Sequence, residues 1–182
     1  MKQALKIISV LTIACVLCAF LLSVVYKSTY SKIQDNAQTK INDAITNLVP
    51  EAITINEEVI GQERIYKLFN KKEKLIGYAF SASGQGYQGK IKMLVATNSK
   101  LEYLKGIEVI DSLETPGLGA RINEADFENQ FNKLDISSLV ELTKDSSKKN
   151  KIQAITGATV SSQAVVNILN KKIEKIKKLL KR

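Results

Sequence analysis

The sequence predicts an α+β protein: one N-terminal transmembrane helix, a helical stalk after it, and an antiparallel-sheet domain that ends in an amphipathic helix. Three observations carry that reading. Ile7 to Val25 is a run of nineteen residues without a charge, long enough to cross a bilayer as one helix. Between residues 64 and 111, paired runs alternate apolar and polar side chains around short polar turns, the pattern of β-hairpins. From Val165 onward, apolar residues recur at Val165, Ile168, Leu169, Ile173, Ile176, Leu179 and Leu180, a helical period with lysines on the other face.

Residues 1–6 form a short N-terminus that carries Lys2 and Lys6 ahead of the membrane helix at 7–25. Ser23-Val24-Val25-Tyr26 continues apolar into Lys27 and offers no small-x-small cleavage site before a polar start, so the segment reads as an uncleaved anchor. Lys2, Lys6 and the α-amine compete with Lys27 and Lys32 across the span, and the expectation is a cytoplasmic N-terminus with the body of the protein on the extracytoplasmic side of the cell membrane. Residues 26–50 form the stalk, where Ile33, Ala37, Ile41, Ile45 and Leu48 keep helical spacing until Pro50 stops it.

Residues 51–182 are the folded domain. Arg64 to Asn70 and Leu75 to Ala82 alternate like strands around Lys71-Lys72-Glu73-Lys74, and Gly89 to Thr97 pairs with Leu101 to Asp111 across Asn98-Ser99-Lys100. Asn123 to Asn132 reads as a short helix capped by Asn123, Leu139 to Leu142 is ambiguous, Ser146 to Lys151 is a polar loop, and Lys151 to Ile155 reads as a last strand.

Composition removes several function classes. With 182 residues and 45% apolar side chains the chain builds a core and is not disordered. It has no histidine, which excludes Ser-His-Asp and Cys-His nucleophile systems and histidine-bearing zinc sites within this chain. Cys15 and Cys18 lie inside the apolar run and read as small membrane-helix filler; no metal site is expected. The formal charge of +9 is unevenly placed: residues 1–147 hold 17 basic and 17 acidic side chains, and residues 148–182 hold 10 basic and one acidic. Lys171, Lys172, Lys175, Lys177, Lys178, Lys181 and Arg182 form the polar face of the last helix. No aromatic residue is interleaved with them, so nucleic acid is not the expected partner; a solvated face is the default, and anionic lipid or an acidic neighbouring subunit is the second reading.

Three glycine-rich stretches interrupt the strands. Gly84-Gln85-Gly86-Tyr87-Gln88-Gly89 formally satisfies a dinucleotide fingerprint, yet it joins two strands and opens no helix, so it reads as a hairpin loop. Glu114-Thr115-Pro116-Gly117-Leu118-Gly119 is a turn whose two glycines also allow close approach of a flat ligand. In Gln153-Ala154-Ile155-Thr156-Gly157-Ala158-Thr159-Val160-Ser161-Ser162, the residues Thr156, Thr159, Ser161 and Ser162 are candidate caps of the last helix, and Gly157 and Ala158 leave little side chain in the way of a phosphate. Taken alone, that stretch reads as an ordinary Thr/Ser helix cap with a Gly turn ahead of an anion site.

The anchor, Gly-Tyr-Gln-Gly, Glu114-Thr115-Pro116-Gly117-Leu118-Gly119 and Thr156-Gly157-Ala158-Thr159-Val160-Ser161-Ser162 together resemble the G subunit of the Rnf ion-translocating ferredoxin:NAD oxidoreductase complex, over essentially the whole chain. The related C subunit of the sodium-pumping NADH:quinone oxidoreductase shares the FMN-binding domain but is longer. The resemblance implies an FMN joined by a phosphoester to Thr159, attached by a separate flavin transferase, which makes the chain a covalent flavoprotein and phosphoprotein. It also implies electron transfer within an ion-transporting translocase whose other subunits are the partners, with no independent substrate-turnover site in this chain. On that reading Thr156, Gly157, Ala158, Ser161 and Ser162 surround the phosphate, Gly117, Leu118 and Gly119 line the ring, and Glu114 or Thr115 supply polar contacts. One position departs from the family pattern: an Asp usually stands six residues before the modified Thr, where this chain has Gln153. A stand-alone membrane-anchored extracytoplasmic flavoprotein, and a noncatalytic anchored interaction domain, are the alternative readings.

Overall fold

The computed structural model describes residues 2–143 and 150–180. Residues 146–149 of the expected polar loop, and Lys181 and Arg182 of the basic face, lie outside the described residues. The chain divides into two compact units, 1–40 and 41–182.

The first unit is wholly helical. Helix α1 runs Lys2–Leu48 without a break, so the expected membrane helix and stalk are one element, and it is long and apolar enough to cross a membrane. The apolar side chains from Ile7 to Val25 are exposed, and the Tyr26 and Tyr30 rings stand 5.8 Å apart just beyond them. Pro50 ends the helix because it disfavours helical backbone at Val49.

The second unit opens with the last two turns of α1 and continues into five strands: β1 (Thr54–Ile60), β2 (Glu63–Phe69), β3 (Leu75–Gln85), β4 (Lys90–Asn98) and β5 (Leu104–Ser112). They form one sheet in sequence order, each antiparallel to the next. Alternation decides the layers. Ile65, Phe80, Ala82, Ile91, Met93 and Val95 face one side, where they meet helix α3 (Thr159–Leu180) through Val165, Leu169, Ile173 and Ile176. Tyr66, Leu68, Ala79, Leu94 and Ala96 face the other, where Ile41, Ala44, Ile45 and Val49 cover them. Gly84 marks a close approach between sheet and helix, because a Cβ there would lie 2.6 Å from Ile168.

Two expectations change. The helix expected over 123–132 is broken into a 3-10 turn (Gly119–Asn123), the single-turn helix α2 (Ala125–Glu128) and a second 3-10 turn (Asn129–Phe131). Glu124, not Asn123, holds the position before α2, and no side chain caps it. The ambiguous segment becomes β6 (Glu141–Thr143), which pairs in parallel with β7 (Lys151–Gln153) as a separate two-stranded sheet.

Candidate functional site

Three loops meet beside the first turn of α3 and enclose a cleft of about 440 Å³. The β3–β4 loop contributes Tyr87, the run after β5 contributes Glu114, Thr115, Leu118 and Gly119, and the start of α3 contributes Gly157, Ala158, Thr159, Val160 and Ser161.

The start of α3 is built without a side-chain cap. The Ala158 carbonyl accepts the first helical bond, from the Ser162 N–H at 3.0 Å, which puts alanine where a Ser, Thr, Asn or Asp oxygen would ordinarily cap. Thr159 is therefore the first helical residue, exposed at the cleft. Its first turn carries no acidic side chain. Ser162 points inward, accepts the Ile155 N–H at 3.1 Å and donates to the Ala158 carbonyl at 3.0 Å, so it fixes the turn from within the fold. Thr156 is exposed and stands outside the cleft lining, as does Gly117. Gly117 turns the chain at φ +73° and Gly157 at φ +81°, both in the left-handed region that glycine adopts without steric cost.

Glu114 ties the loops together. It is 5% exposed. Its Oε2 accepts the Ser161 hydroxyl, and its Oε1 accepts the N–H groups of Gln88 (3.0 Å) and Gly89 (3.4 Å). Burial pushes this carboxyl up, but the Ser161 hydroxyl and the amides of Gln88, Gly89 and Tyr87 outweigh burial and hold it below the usual glutamate range. The glycines around it make that room: a Cβ on Gly119 would lie 2.6 Å from both Glu114 Oε2 and Ser161 Oγ, and one on Gly86 would lie 2.2 Å from Glu114 Oε1.

The apolar surface of the cleft comes partly from residues that the sequence did not single out as ligands. Tyr87 (68% exposed) and Val160 (58% exposed) stand at its rim with Leu118 (51% exposed), whose Cδ2 would lie 3.5 Å from a Cβ on Gly157. Neither Tyr87 nor Val160 belongs to a periodic pattern; their neighbours in the glycine-rich stretches were the available signal. Gln153 sits apart on β7, exposed, its N–H donating to Gln130 Oε1 at 2.7 Å.

Fold and cleft define the class: residues 86–174, which contain every residue lining the cleft, match the FMN-binding domain. The C subunit of the Na(+)-translocating NADH-quinone reductase from Parabacteroides distasonis shares the fold at TM-score 0.58 and 23% identity, over 66% of this chain and 63% of that one. The chain thus spans just under two thirds of that structure. The G subunit of the ion-translocating oxidoreductase complex of Methanosarcina acetivorans is 30% identical over 95% of this chain and 94% of its own length. The G subunit of the proton-translocating ferredoxin:NAD(+) oxidoreductase complex of Clostridium ljungdahlii is 34% identical, over 91% of this chain and 88% of its own. The chain belongs to the family of Rnf G subunits of ion-translocating oxidoreductase complexes.

Proposed function

We propose that this protein is an electron-transfer subunit of a membrane-bound ferredoxin:NAD oxidoreductase complex, and that it holds FMN through a phosphoester on Thr159. The observation that carries this reading is the placement of Thr159: an exposed hydroxyl on the first residue of an uncapped helix, at the mouth of a cleft formed by three loops. The first N–H groups of a helix have no intrahelical partner, so this turn offers donors to a phosphate carried on Thr159, and the helix dipole favours its charge. Gly157 and Ala158 keep bulk away from it. Leu118, Tyr87 and Val160 offer apolar surface for a flat ring, and the same geometry separates Thr159, which lines the cleft, from Thr156, which does not.

FMN, once held there, supplies a ring that takes up and gives up one or two electrons. The chain cannot make the bond alone. A threonine hydroxyl needs a base to act as nucleophile, the sequence has no histidine, and the carboxylate nearest in the cleft, Glu114, is committed to Ser161 and two amides. Making the bond falls to a separate flavin transferase, which would take the Thr159 proton and release the second group carried by an activated flavin phosphate as Oγ1 replaces it, so that the chain would gain FMN less one water. Because the tether retains FMN against dilution, it suits a domain on the extracytoplasmic side, where the free cofactor is scarce.

Intact mass of the protein purified from its native host tests the proposal. The chain should weigh one FMN minus water more than its sequence and should fluoresce in a denaturing gel. Both signals should persist in Thr156→Ala and vanish in Thr159→Ala; a native chain of unmodified mass overturns the reading.

A further inference from the structure

A larger groove, about 1150 Å³, shares only Thr159 and Val160 with the flavin cleft and runs along α3 toward its lysines. One wall is an unfinished sheet edge. Strand β3 pairs with β4 from Gly77 to Gln85, but its pairing with β2 stops at Phe80. Ser83, Gly84 and Gln85 line the groove on that unpaired side, and Ser83 and Gln85 are exposed. In an antiparallel sheet alternate residues of such a stretch direct both N–H and C=O away from the existing partner, which leaves a template for one more strand. Gly84 brings this edge against Ile168, so the groove has an apolar floor.

The opposite wall is cationic. Lys171, Lys172 and Lys175 face one carboxylate, Glu63, giving the lining a net charge of +2 from three lysines and one glutamate. Lys172 is spent on Glu63, with both side chains largely buried (16% and 14% exposed). Lys175 touches Glu63 at 2.7 Å while keeping 55% of its side chain in solvent, and Lys171 is exposed.

We infer that this groove docks an extended acidic segment of a partner protein, added to β3 at Ser83–Gln85 by main-chain hydrogen bonds and selected by Lys171 and Lys175. Strand addition supplies affinity through the backbone and leaves alternate side chains to set specificity, here carboxylates reaching the lysines. A concave site with an open strand edge suits a peptide; a planar lipid surface uses neither feature. The binding does not depend on flavin at Thr159, and protein without the flavin, made in a host that lacks the transferase, should bind the same segment.

The test is fluorescence anisotropy of a labelled peptide alternating Glu with Thr and Val, titrated with the full-length protein in nonionic detergent. Binding should weaken with salt and fall about five- to tenfold in Lys171→Gln/Lys175→Gln, the size expected of two partly exposed ion pairs. Lys171→Gln alone lies outside the Glu63 pair and keeps the test valid if the double variant is unstable. Peptides N-methylated at either alternate set of residues separate the two contributions: one set should abolish binding and the other should not. Equal binding of both N-methylated peptides, binding of the Gln-for-Glu peptide as tight as the acidic one, or lysine-dependent binding to phosphatidylglycerol vesicles with none to the peptide would each overturn the inference.

Discussion

At the residue scale, three glutamates respond to their surroundings in opposite directions. Glu63 and Glu114 are both pushed up by burial, but Lys172 and Lys175 in one case, and Ser161 and loop amides in the other, bring each below 4.5. Their stabilisation is complete above that value and fades only as pH falls through the lowered folded-state values. Glu128 on α2 is different. Burial raises it to about 7; the Val109 N–H, donating at 2.7 Å, opposes the shift, and Glu108 adds to it, while Lys105 and Lys133 border the same hollow. A raised carboxyl favours the protonated fold, so its contribution is present below about 4.5 and is lost as pH rises toward 7. The combined contribution of these three carboxyls should therefore be largest near the lower end of that window. Glu128→Gln keeps an oxygen for Val109 and removes the charge, so it should raise stability at pH 8 by on the order of 1–2 kcal/mol after allowing for solvent screening, with little gain at pH 4. Thermal unfolding across that pH range reads the difference, and an equal effect at both ends would show that Glu128 is not ionising there.

At the element scale, the cleft depends on how closely the run after β5 approaches the first turn of α3. Gly119→Ala sets a Cβ 2.6 Å from Glu114 Oε2 and Ser161 Oγ, so the loop must withdraw from the helix at a cost of about 1–3 kcal/mol. Gly117→Ala meets open space and strains only a left-handed turn. Both should lower the melting temperature, but only Gly119→Ala should also lower the FMN fluorescence carried per chain; equal loss in both would deny the close contact its role. This contact is the kind that sequence reading does not reach. The hairpins were legible because alternation is local, and the three glycine-rich stretches were legible as interruptions of the strand pattern. Nothing in the sequence shows that the Glu114 carboxylate, at the cleft, joins Ser161, forty-seven positions away, to the β3–β4 loop. Strand β1 was missed because Asn56, Glu57, Glu58 and Val59 are all exposed and show no alternation. The parallel β6–β7 pair was missed because three-residue strands carry too little pattern to register a partner. The 123–132 segment misled because its apolar residues Phe127 and Phe131 keep a helical spacing that survives in only one turn.

At the scale of the whole molecule, the charges flanking the apolar run decide which side of the membrane holds the flavin domain, and their count makes it a close contest. Lys2, Lys6 and the α-amine precede the apolar run, while Lys27, Lys32 and Lys40 follow it within reach of the membrane surface. The ten basic residues after position 147 do not enter the contest, since charges distant from the span have little influence on orientation. With the N-terminus in the cytoplasm, an alkaline phosphatase fused after Arg182 should be active and a green fluorescent reporter at the same place dark. Because the two sides are so evenly matched, Lys2→Gln/Lys6→Gln should shift a measurable share of the chains to the inverted orientation and reduce phosphatase activity per molecule. The same double change should reduce FMN incorporation in proportion if flavinylation occurs outside the cytoplasm, since inverted chains would present Thr159 to the wrong compartment. An inactive phosphatase fusion on the unmodified chain, with a fluorescent reporter in its place, would put Thr159 and its cofactor on the cytoplasmic side.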